Sequence, residues 1–228
     1  MKMPLSFIRS LSRTQTDHVP DDDGTDDAEG ADVCTSLTVW RKSLILNCNG
    51  FTVINSDGNL IYRVDNYTGR PPEVVLMDAS GEPLLSLRRR KKLGLMDKNW
   101  WAVYEGEVGE FCSKKPIWRV RKHVNYLLNP INGGNSNSGG GVLAHIYFGP
   151  STASEKGYAY VIEGSYAVRS CRVLDRSRRL VAEVRRKESA HGGAGISFGA
   201  DVFVLMVHPG FDTGFAMAVV LILDEMFS

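Results

Sequence analysis

The longest apolar run of the chain is Phe215–Leu223, in which no side chain is polar. A helix that is apolar on every side must be enclosed by protein or by lipid. A bilayer span takes about 20 such residues, and this run ends earlier, at Asp224. Asp212 or Thr213 can cap its start by accepting from the free N–H groups of the first turn. The pattern predicts a buried helix over 212–228, either the end of a membrane-type hairpin, a packed surface helix, or the axis of a closed barrel.

Upstream of this helix the apolar residues come in short runs separated by turn residues, a pattern typical of β-strands. Each run is five to ten residues long, and we predict twelve strands. They are Ser36–Arg41, Phe51–Asn55, Leu60–Val64, Glu73–Met77, Pro83–Arg88, Trp100–Glu105, Ile117–Tyr126, Val142–Phe148, Tyr158–Glu163, Tyr166–Leu174, Arg179–Arg185 and Val202–Val207.

Part of this pattern repeats along the chain. The segment Val75–Lys91, with its turn at Asp78–Gly81, resembles Arg172–Lys187. Phe51–Asp65, with its turn at Asp57–Gly58, is a weaker third copy. Turns of this composition between apolar runs predict β-hairpins, and the repetition predicts a sheet built by duplication from two halves of about six strands each.

The strands and the helix together predict one architecture. A dozen antiparallel strands have open edges, and closure into a barrel removes those edges completely. An eight-stranded barrel is filled by its own side chains, whereas twelve strands leave a lumen that a helix about 10–12 Å across can fill. The predicted fold class is therefore mainly β, an antiparallel barrel of about twelve strands that encloses a central hydrophobic C-terminal α-helix.

Charge divides the 228 residues into two parts. Residues 1–33 carry eight acidic and three basic side chains, whereas the whole chain has a net charge of +1. Such a segment buries too little apolar surface to offset its ordering entropy, so we expect a disordered acidic leader over 1–33 and a single barrel domain over 34–228. The low-complexity stretch Asn129–Gly141 is expected to be a loop. The barrel is left mildly basic, which favours anionic partners.

The chain resembles the plant LURP-one-related family, which has the tubby C-terminal fold. The resemblance runs from Leu37 to Phe227. The segments that carry it are Trp40, the hairpin at Gly58, the turn Asp78–Gly81 with the tail Arg88–Lys92, Trp100–Tyr104, Asp201–Asp212 running into Phe215, and Leu223–Met226. The resemblance implies a twelve-stranded barrel around a C-terminal helix, no enzymatic activity, and associations with plant defence. The relatives it implies are the tubby proteins, which bind membrane phosphoinositides and tether transcription regulators, and the phospholipid scramblases.

Signals for catalysis are weak. The four cysteines and five histidines lack the spacing of a zinc site, and no P-loop motif is present. We therefore expect no enzymatic activity and no cofactor. Cys112 and Cys171 are expected to be buried as small apolar groups, and His208 to serve as a structural partner. Of Trp100 and Trp101, adjacent in a strand, one is expected in the core and one at the surface.

Basic residues form three candidate anion-binding clusters. Arg88, Arg90 and Lys92 share one face of a strand at intervals of about 6.6 Å, a spacing that suits the phosphates of an inositol headgroup. A strand with basic residues on one face and apolar residues on the other supplies a second cluster, and the repeat of the first segment supplies a third. In full, the candidate residues are Arg88, Arg89, Arg90, Lys91, Lys92, Arg119, Arg121, Lys122, Arg185, Arg186 and Lys187. The sequence leaves open whether the clusters converge, and a solvated strand end is the alternative for each.

These observations predict a binding protein that docks peripherally on anionic phospholipid, with phosphoinositide the expected ligand. No transmembrane segment or secretory signal is apparent, so we expect a cytoplasmic protein, at the plasma membrane or in the nucleus. One alternative is a DNA-associated regulator, for which the basic residues are too few and too dispersed. The other is a calcium-dependent, scramblase-like activity near Asp224 and Glu225.

Overall fold

The structure is a computed structural model, and it describes residues 33–66, 73–90, 100–108, 114–123, 141–150, 157–187 and 199–228. The predicted leader up to residue 32, most of the loop Asn129–Gly141, Lys91, Lys92 and Cys112 lie outside these ranges.

Twelve antiparallel strands form a closed barrel, as the sequence predicts. Each strand pairs with the next along the chain, and β1 closes the ring by pairing with β12, so that Thr35 lies opposite Val207. The strands are β1 Thr35–Trp40, β2 Asn49–Ile54, β3 Leu60–Asn66, β4 Glu73–Asp78, β5 Pro83–Arg90, β6 Trp100–Glu105, β7 Trp118–Lys122, β8 Val142–Phe148, β9 Tyr160–Ser165, β10 Ser170–Asp175, β11 Leu180–Arg186 and β12 Val202–Val207.

The C-terminal helix α1, Thr213–Phe227, fills this barrel. Every residue from Gly214 to Asp224 is buried, which means that no side of the helix faces water. Twelve strands about 4.8 Å apart and tilted by about 40° form a ring roughly 24 Å across. That ring leaves about 10 Å between the helix backbone and the strands, which is the usual distance between packed layers. The axial helix is therefore the one of the three predicted arrangements that occurs.

Inward side chains of every strand pack against the helix. Leu37, Leu76, Leu87, Ile146 and Phe203 are among the core residues that are at most 2% exposed. The two tryptophans predicted to face opposite sides do so. Trp101 is buried in the core, and Trp100 packs outside the barrel on a second, small apolar cluster of Ala102, Tyr104 and Val108.

The helix is anchored where it begins. The Asp212 carboxylate caps it by accepting from the Phe215 N–H at 2.6 Å, and burial raises the pKa of Asp212. The hydroxyl groups of Tyr62 and Thr213 are 2.7 Å apart and share a hydrogen bond. Burial of Tyr62, opposed in part by that bond, raises its pKa to about 12. The first turn of α1 is thus tied both to its own cap and to β3.

The three predicted sequence repeats have the same turn geometry. In each hairpin the side chain of the first turn residue accepts from a backbone N–H four positions on, at 2.9 Å, and the residue three positions on has a positive φ. The first residues are Asn55, Asp78 and Asp175. In the third copy the residue that corresponds to Asp78 and Asp175 is therefore Asn55, which precedes the Asp57–Gly58 pair.

One predicted turn is displaced. The predicted strands Tyr158–Glu163 and Tyr166–Leu174 leave Gly164 and Ser165 as their connection, but β9 continues to Ser165, and the chain turns over Tyr166–Arg169. Gly164 lies instead in a strand, with φ 118°, where an added Cβ would come within 2.1 Å of the Ser170 carbonyl oxygen. Glycine is needed there for a close approach of two backbones, not for a reversal. The turn itself contains no glycine, because Arg169 adopts the left-handed conformation, with φ 53°.

Two smaller predictions are confirmed. Cys171 is buried, and burial raises the pKa of its thiol to about 12, so that it stays protonated as a small apolar group. His208 serves as a structural partner, because its Nδ1 lies 3.4 Å from the Cys34 sulfur and ties the end of β12 to the start of β1.

We predict that Gly164→Ala lowers the free energy of unfolding by about 3 kcal/mol or more, since the new methyl group must displace backbone. Gly81→Ala is the matched control, because Gly81 also has a positive φ (94°) but nothing lies within 4 Å of its added Cβ. There we expect a loss of about 1 kcal/mol from backbone strain alone. Equal losses in denaturant titrations of the two variants would contradict the close-approach explanation.

We also predict that Tyr62 makes the barrel sensitive to alkali. Its folded-state pKa of about 12 exceeds the ordinary value of 10.0, so the native state retains a proton that the unfolded state loses. The stability that comes from this retained proton is fully present below pH 10. It is lost as the pH rises towards 12, so that the free energy of unfolding falls by about 2–3 kcal/mol. Tyr62→Phe should cost about 1 kcal/mol at neutral pH and flatten the decline above pH 10. Unfolding curves across that range measure both effects, and an unchanged alkaline slope would argue against the assignment.

Candidate functional site: a cationic barrel mouth

All three predicted basic clusters lie towards the same end of the barrel. Neighbouring strands are antiparallel throughout, so the odd-numbered strands all finish at one end. The clusters lie at the C-terminal ends of three of these strands, β5, β7 and β11. Helix α1 starts at the opposite end, after β12, and its C-terminus reaches this one, where the Lys122 ammonium donates to the Met226 carbonyl at 3.0 Å. We call this end, with the helix C-terminus at its centre, the mouth.

Strand alternation divides the basic residues into an inward and an outward set. Arg89 lies opposite the core residue Trp101, and Arg186 lies opposite the core residue Phe203, so both belong to the inward register at the rim. Arg41, Arg89, Lys122 and Arg186 all have this register, and we call them the mouth cations. Each predicted cluster contributes one of them, and Arg41 completes the set from the residue after β1.

Two of the mouth cations are used to hold the helix. Arg41 donates from Nε and Nη2 to the buried Asp224 carboxylate, both at 3.2 Å. The Lys122 ammonium lies 4.2 Å from the centre of the Phe227 ring, in addition to its bond to Met226. The helix has no basic residue in its own last turn, so these strand residues supply the positive charge that the negative end of its dipole favours.

Asp224 is the centre of this anchoring. It also accepts from the Tyr166 hydroxyl at 3.1 Å and from the Ser228 hydroxyl at 2.8 Å. Burial first, and then the neighbouring carboxylate, raise the pKa of Tyr166 well above its usual range. The sequence left open a calcium site at Asp224 and Glu225. In the structure the Asp224 carboxylate is already paired with Arg41. Within the described ranges no three His, Cys, Asp or Glu side chains lie close enough together to hold a metal ion.

The other two mouth cations, Arg89 and Arg186, are exposed. Among the residues that the structure describes, neither has a recorded hydrogen bond or ion pair. They stand on opposite flanks of the mouth, because β5 and β11 are separated by several strands in either direction around the ring. They are therefore available to an external anion.

Most of the outward residues are occupied within the barrel wall. Arg88 and Arg90 share a face as predicted, but Arg88 pairs with Glu73 at 2.6 Å, and Arg90 donates to the Tyr104 hydroxyl at 2.9 Å. Arg185 pairs with Glu183, and Lys187 donates to the Thr38 hydroxyl at 3.1 Å. Of the three β5 residues predicted to contact phosphates, the first two, Arg88 and Arg90, are thus already bonded to side chains of the barrel wall.

Arg119 departs furthest from its predicted role. It is only 7% exposed and donates from Nε to the Gly149 carbonyl at 2.7 Å. Its guanidinium lies 5.8 Å from the Trp100 ring centre and 5.5 Å from that of Tyr147. The sequence pattern indicated a basic outer face on this strand, but aromatic residues from the neighbouring strands cover this part of it.

Arg121, two residues further towards the mouth, remains exposed and lies opposite His145 on β8. The His123 and His145 rings are 5.3 Å apart. Burial, His123 and Arg121, in that order, lower the pKa of His145. Three cationic or protonatable groups therefore share one patch of the outer wall beside the mouth.

A cavity of about 480 Å³ opens at the mouth beside the end of the helix. Its lining mixes cations with carboxylates, since Arg41, Lys42, Asp224 and Glu225 all border it. Arg41 and Lys42 were not predicted from the sequence, because they form no dense charge run. Their position directly after a strand that ends at the mouth is the signal that identifies them, and it requires the barrel topology.

No helix in the described ranges combines the length and the apolarity that crossing a bilayer requires.

Comparisons with known proteins agree with this architecture. A family model described as LURP-one-related matches residues 35–224. Among similar proteins from Arabidopsis thaliana, LURP-one-related 17 is 46% identical over 86% of this chain and 84% of its own length. LURP-one-related 8 is 45% identical over 84% of this chain and 86% of its own length. An X-ray structure of an Arabidopsis thaliana protein has the same fold, with a TM-score of 0.57 and 22% identity over 87% of this chain and 94% of that one.

We predict that Arg119 and Arg121, two residues apart on one strand, differ sharply in their contribution to stability. Arg119→Ala removes a buried charged hydrogen bond and two ring contacts, and should lower the free energy of unfolding by about 2–3 kcal/mol. Arg121→Ala, at an exposed position, should change it by less than about 0.5 kcal/mol. Denaturant titration of both variants measures the difference, and similar values would show that the division into engaged and free cations is wrong.

Proposed function

Since the chain belongs to the LURP-one-related family, we propose that it is a non-enzymatic binding protein that docks the mouth of its barrel on anionic membrane lipid. Phosphoinositide, with several phosphates on one headgroup, is the proposed ligand. The observation that carries the proposal is that three separate basic clusters converge on one end of the barrel and leave Arg89, Arg121 and Arg186 exposed there.

The balance of charge at the mouth supports an anionic partner. The carboxylates near this end are mostly neutralised by partners within the chain. Asp65 pairs with Arg63, Glu73 with Arg88, Glu183 with Arg185, and Asp224 with Arg41. Asp201 is exposed at the same end and Glu225 borders the cavity there, but Arg89, Arg121, Arg186 and Lys42 outnumber these two. The surplus is positive, and it is concentrated where it can face a single surface.

The geometry supports a surface rather than a small soluble anion. The exposed cations are spread over β5, β7 and β11 around a ring roughly 24 Å across, too far apart to close on one phosphate. A lipid surface presents many headgroups over that distance. Each basic residue near an anionic bilayer contributes about 1 kcal/mol, so three to five of them give weak, reversible and salt-sensitive docking.

Co-sedimentation with lipid vesicles tests the proposal. We expect the protein to sediment with phosphatidylcholine vesicles that contain phosphatidylinositol bisphosphate, and not with phosphatidylcholine alone. A triple variant with Arg89→Gln, Arg121→Gln and Arg186→Gln should bind about a hundredfold more weakly, because it loses about 3 kcal/mol of attraction.

The matched control is a triple variant with Lys114→Gln, Lys115→Gln and Arg176→Gln. It removes the same charge from exposed residues at the opposite end of the barrel. It should bind nearly as well as the unmodified protein. Equal losses of vesicle binding in the two variants would show that binding depends on net charge and not on the mouth. Unchanged binding by the mouth variant would overturn the site. Steeply salt-dependent DNA binding without vesicle binding would favour the DNA-associated regulator instead.

A further inference from the structure

Large apolar side chains are exposed mainly at the mouth. Six such residues are exposed within the described ranges, and four of them belong to two connections at this end. Trp40, Leu44 and Leu46 lie at the end of β1 and in the loop that follows it, and are 41%, 56% and 90% exposed. Val168, in the turn between β9 and β10, is 53% exposed. A cluster of this kind indicates an interaction surface, whereas scattered single residues do not.

The loop between β1 and β2 has a defined conformation that holds its leucines outward. Ser43 is only 4% exposed. Its hydroxyl donates to Asp65 on β3 and accepts from the Ile45 N–H at 3.0 Å. The Thr52 hydroxyl donates to the Lys42 carbonyl at 2.7 Å. Ser43 therefore fixes the base of the loop in the barrel wall, while Leu44 and Leu46 on either side of Ile45 remain in solvent.

The charges around the loop indicate what covers it. Arg41 and Lys42 precede the leucines, and the Lys42 ammonium lies 5.3 Å from the centre of the Trp40 ring. Arg89 and Arg186 lie on the same rim. An apolar projection on a rim that also carries these cations is complementary to an anionic bilayer, in which hydrocarbon lies just beneath a layer of phosphates. A tryptophan at the boundary between the two matches the preference of that side chain for membrane interfaces.

We propose that the β1–β2 loop inserts Leu44 and Leu46 into the acyl region of an anionic bilayer, with Trp40 at the headgroup level. Arg89 and Arg186, the two mouth cations that do not hold the helix, then contact phosphates, and the barrel axis stands close to the membrane normal. Val168 lies across the mouth, separated from β1 by β10, β11 and β12, and supplies a second apolar contact that fixes the tilt. This inference rests on the proposed membrane function and adds the orientation and depth of docking.

Two measurements on the full chain test the insertion. In the first, Leu44→Ser and Leu46→Ser are combined, and co-sedimentation with vesicles of phosphatidylcholine and phosphatidylinositol bisphosphate is measured over a range of salt. We expect binding to weaken about tenfold or more, while its salt dependence stays as in the unmodified protein, since the apolar term alone is removed. Val33→Ser is the control, because Val33 is 75% exposed at the opposite end of the barrel and should have no effect.

In the second, tryptophan fluorescence is recorded with the same vesicles carrying brominated acyl chains. Bromines placed near the headgroup should quench the protein. Trp40→Phe should abolish most of that quenching and Trp100→Phe little of it, since Trp101 and Trp118 are buried inside the barrel and Trp100 is half-buried on the outer wall. Thermal unfolding of the leucine variant should match that of the unmodified protein, because both side chains are exposed.

The outcomes separate the two proposals. Salt-sensitive vesicle binding with no quenching, and with unchanged affinity in the leucine variant, would overturn insertion and leave the docking function standing. Absence of any binding to anionic vesicles would overturn both. Quenching that is lost in Trp100→Phe rather than in Trp40→Phe would place the outer wall of the barrel against the membrane and overturn the proposed orientation.

Discussion

The exclusion of one helix from water determines the architecture. Residues Gly214–Asp224 are buried on every side, and only a closed layer of protein around them satisfies that requirement. The twelve strands form that layer, and the helix with the inward side chains occupies the space within it. In the part of the chain that the structure describes, a barrel filled in this way leaves no central chamber for a ligand. The outer wall and the two ends remain, and the charges of the chain favour one of those ends.

The same helix imposes a second demand, at its C-terminus. A buried carboxylate and the last carbonyl groups need positive partners, and the helix has none of its own in its last turn. Arg41 and Lys122 supply them from strands on opposite sides of the ring. The mouth is consequently basic for a structural reason before any ligand is considered. Arg89 and Arg186 have the same register but no such task, and this difference separates the cations that stabilise the fold from those that can bind.

Much of the fold can be predicted from the pattern of apolar residues, because the unbroken apolar run Phe215–Leu223 indicates an enclosed helix and short apolar runs between turn residues indicate strands. The three equivalent turns follow in the same way from their composition. The turn at Tyr166–Arg169 could not be predicted, because an arginine adopts its left-handed conformation and the nearby glycine serves a backbone contact instead. The site was predicted only in part. Which arginines are free depends on partners from neighbouring strands, such as Glu73 for Arg88 and Tyr147 for Arg119, and strand order is not encoded locally.

The pairing of β1 with β12 has a consequence for biosynthesis. The first strand to leave the ribosome has no neighbour on one side until the twelfth has been translated, and the segment that fills the lumen emerges later still. Through most of translation, the strands already synthesised therefore lack both the partner that closes the sheet and the helix that covers its apolar inner face. Contacts so distant along the chain form slowly, so we expect closure of the barrel to be a late step in folding.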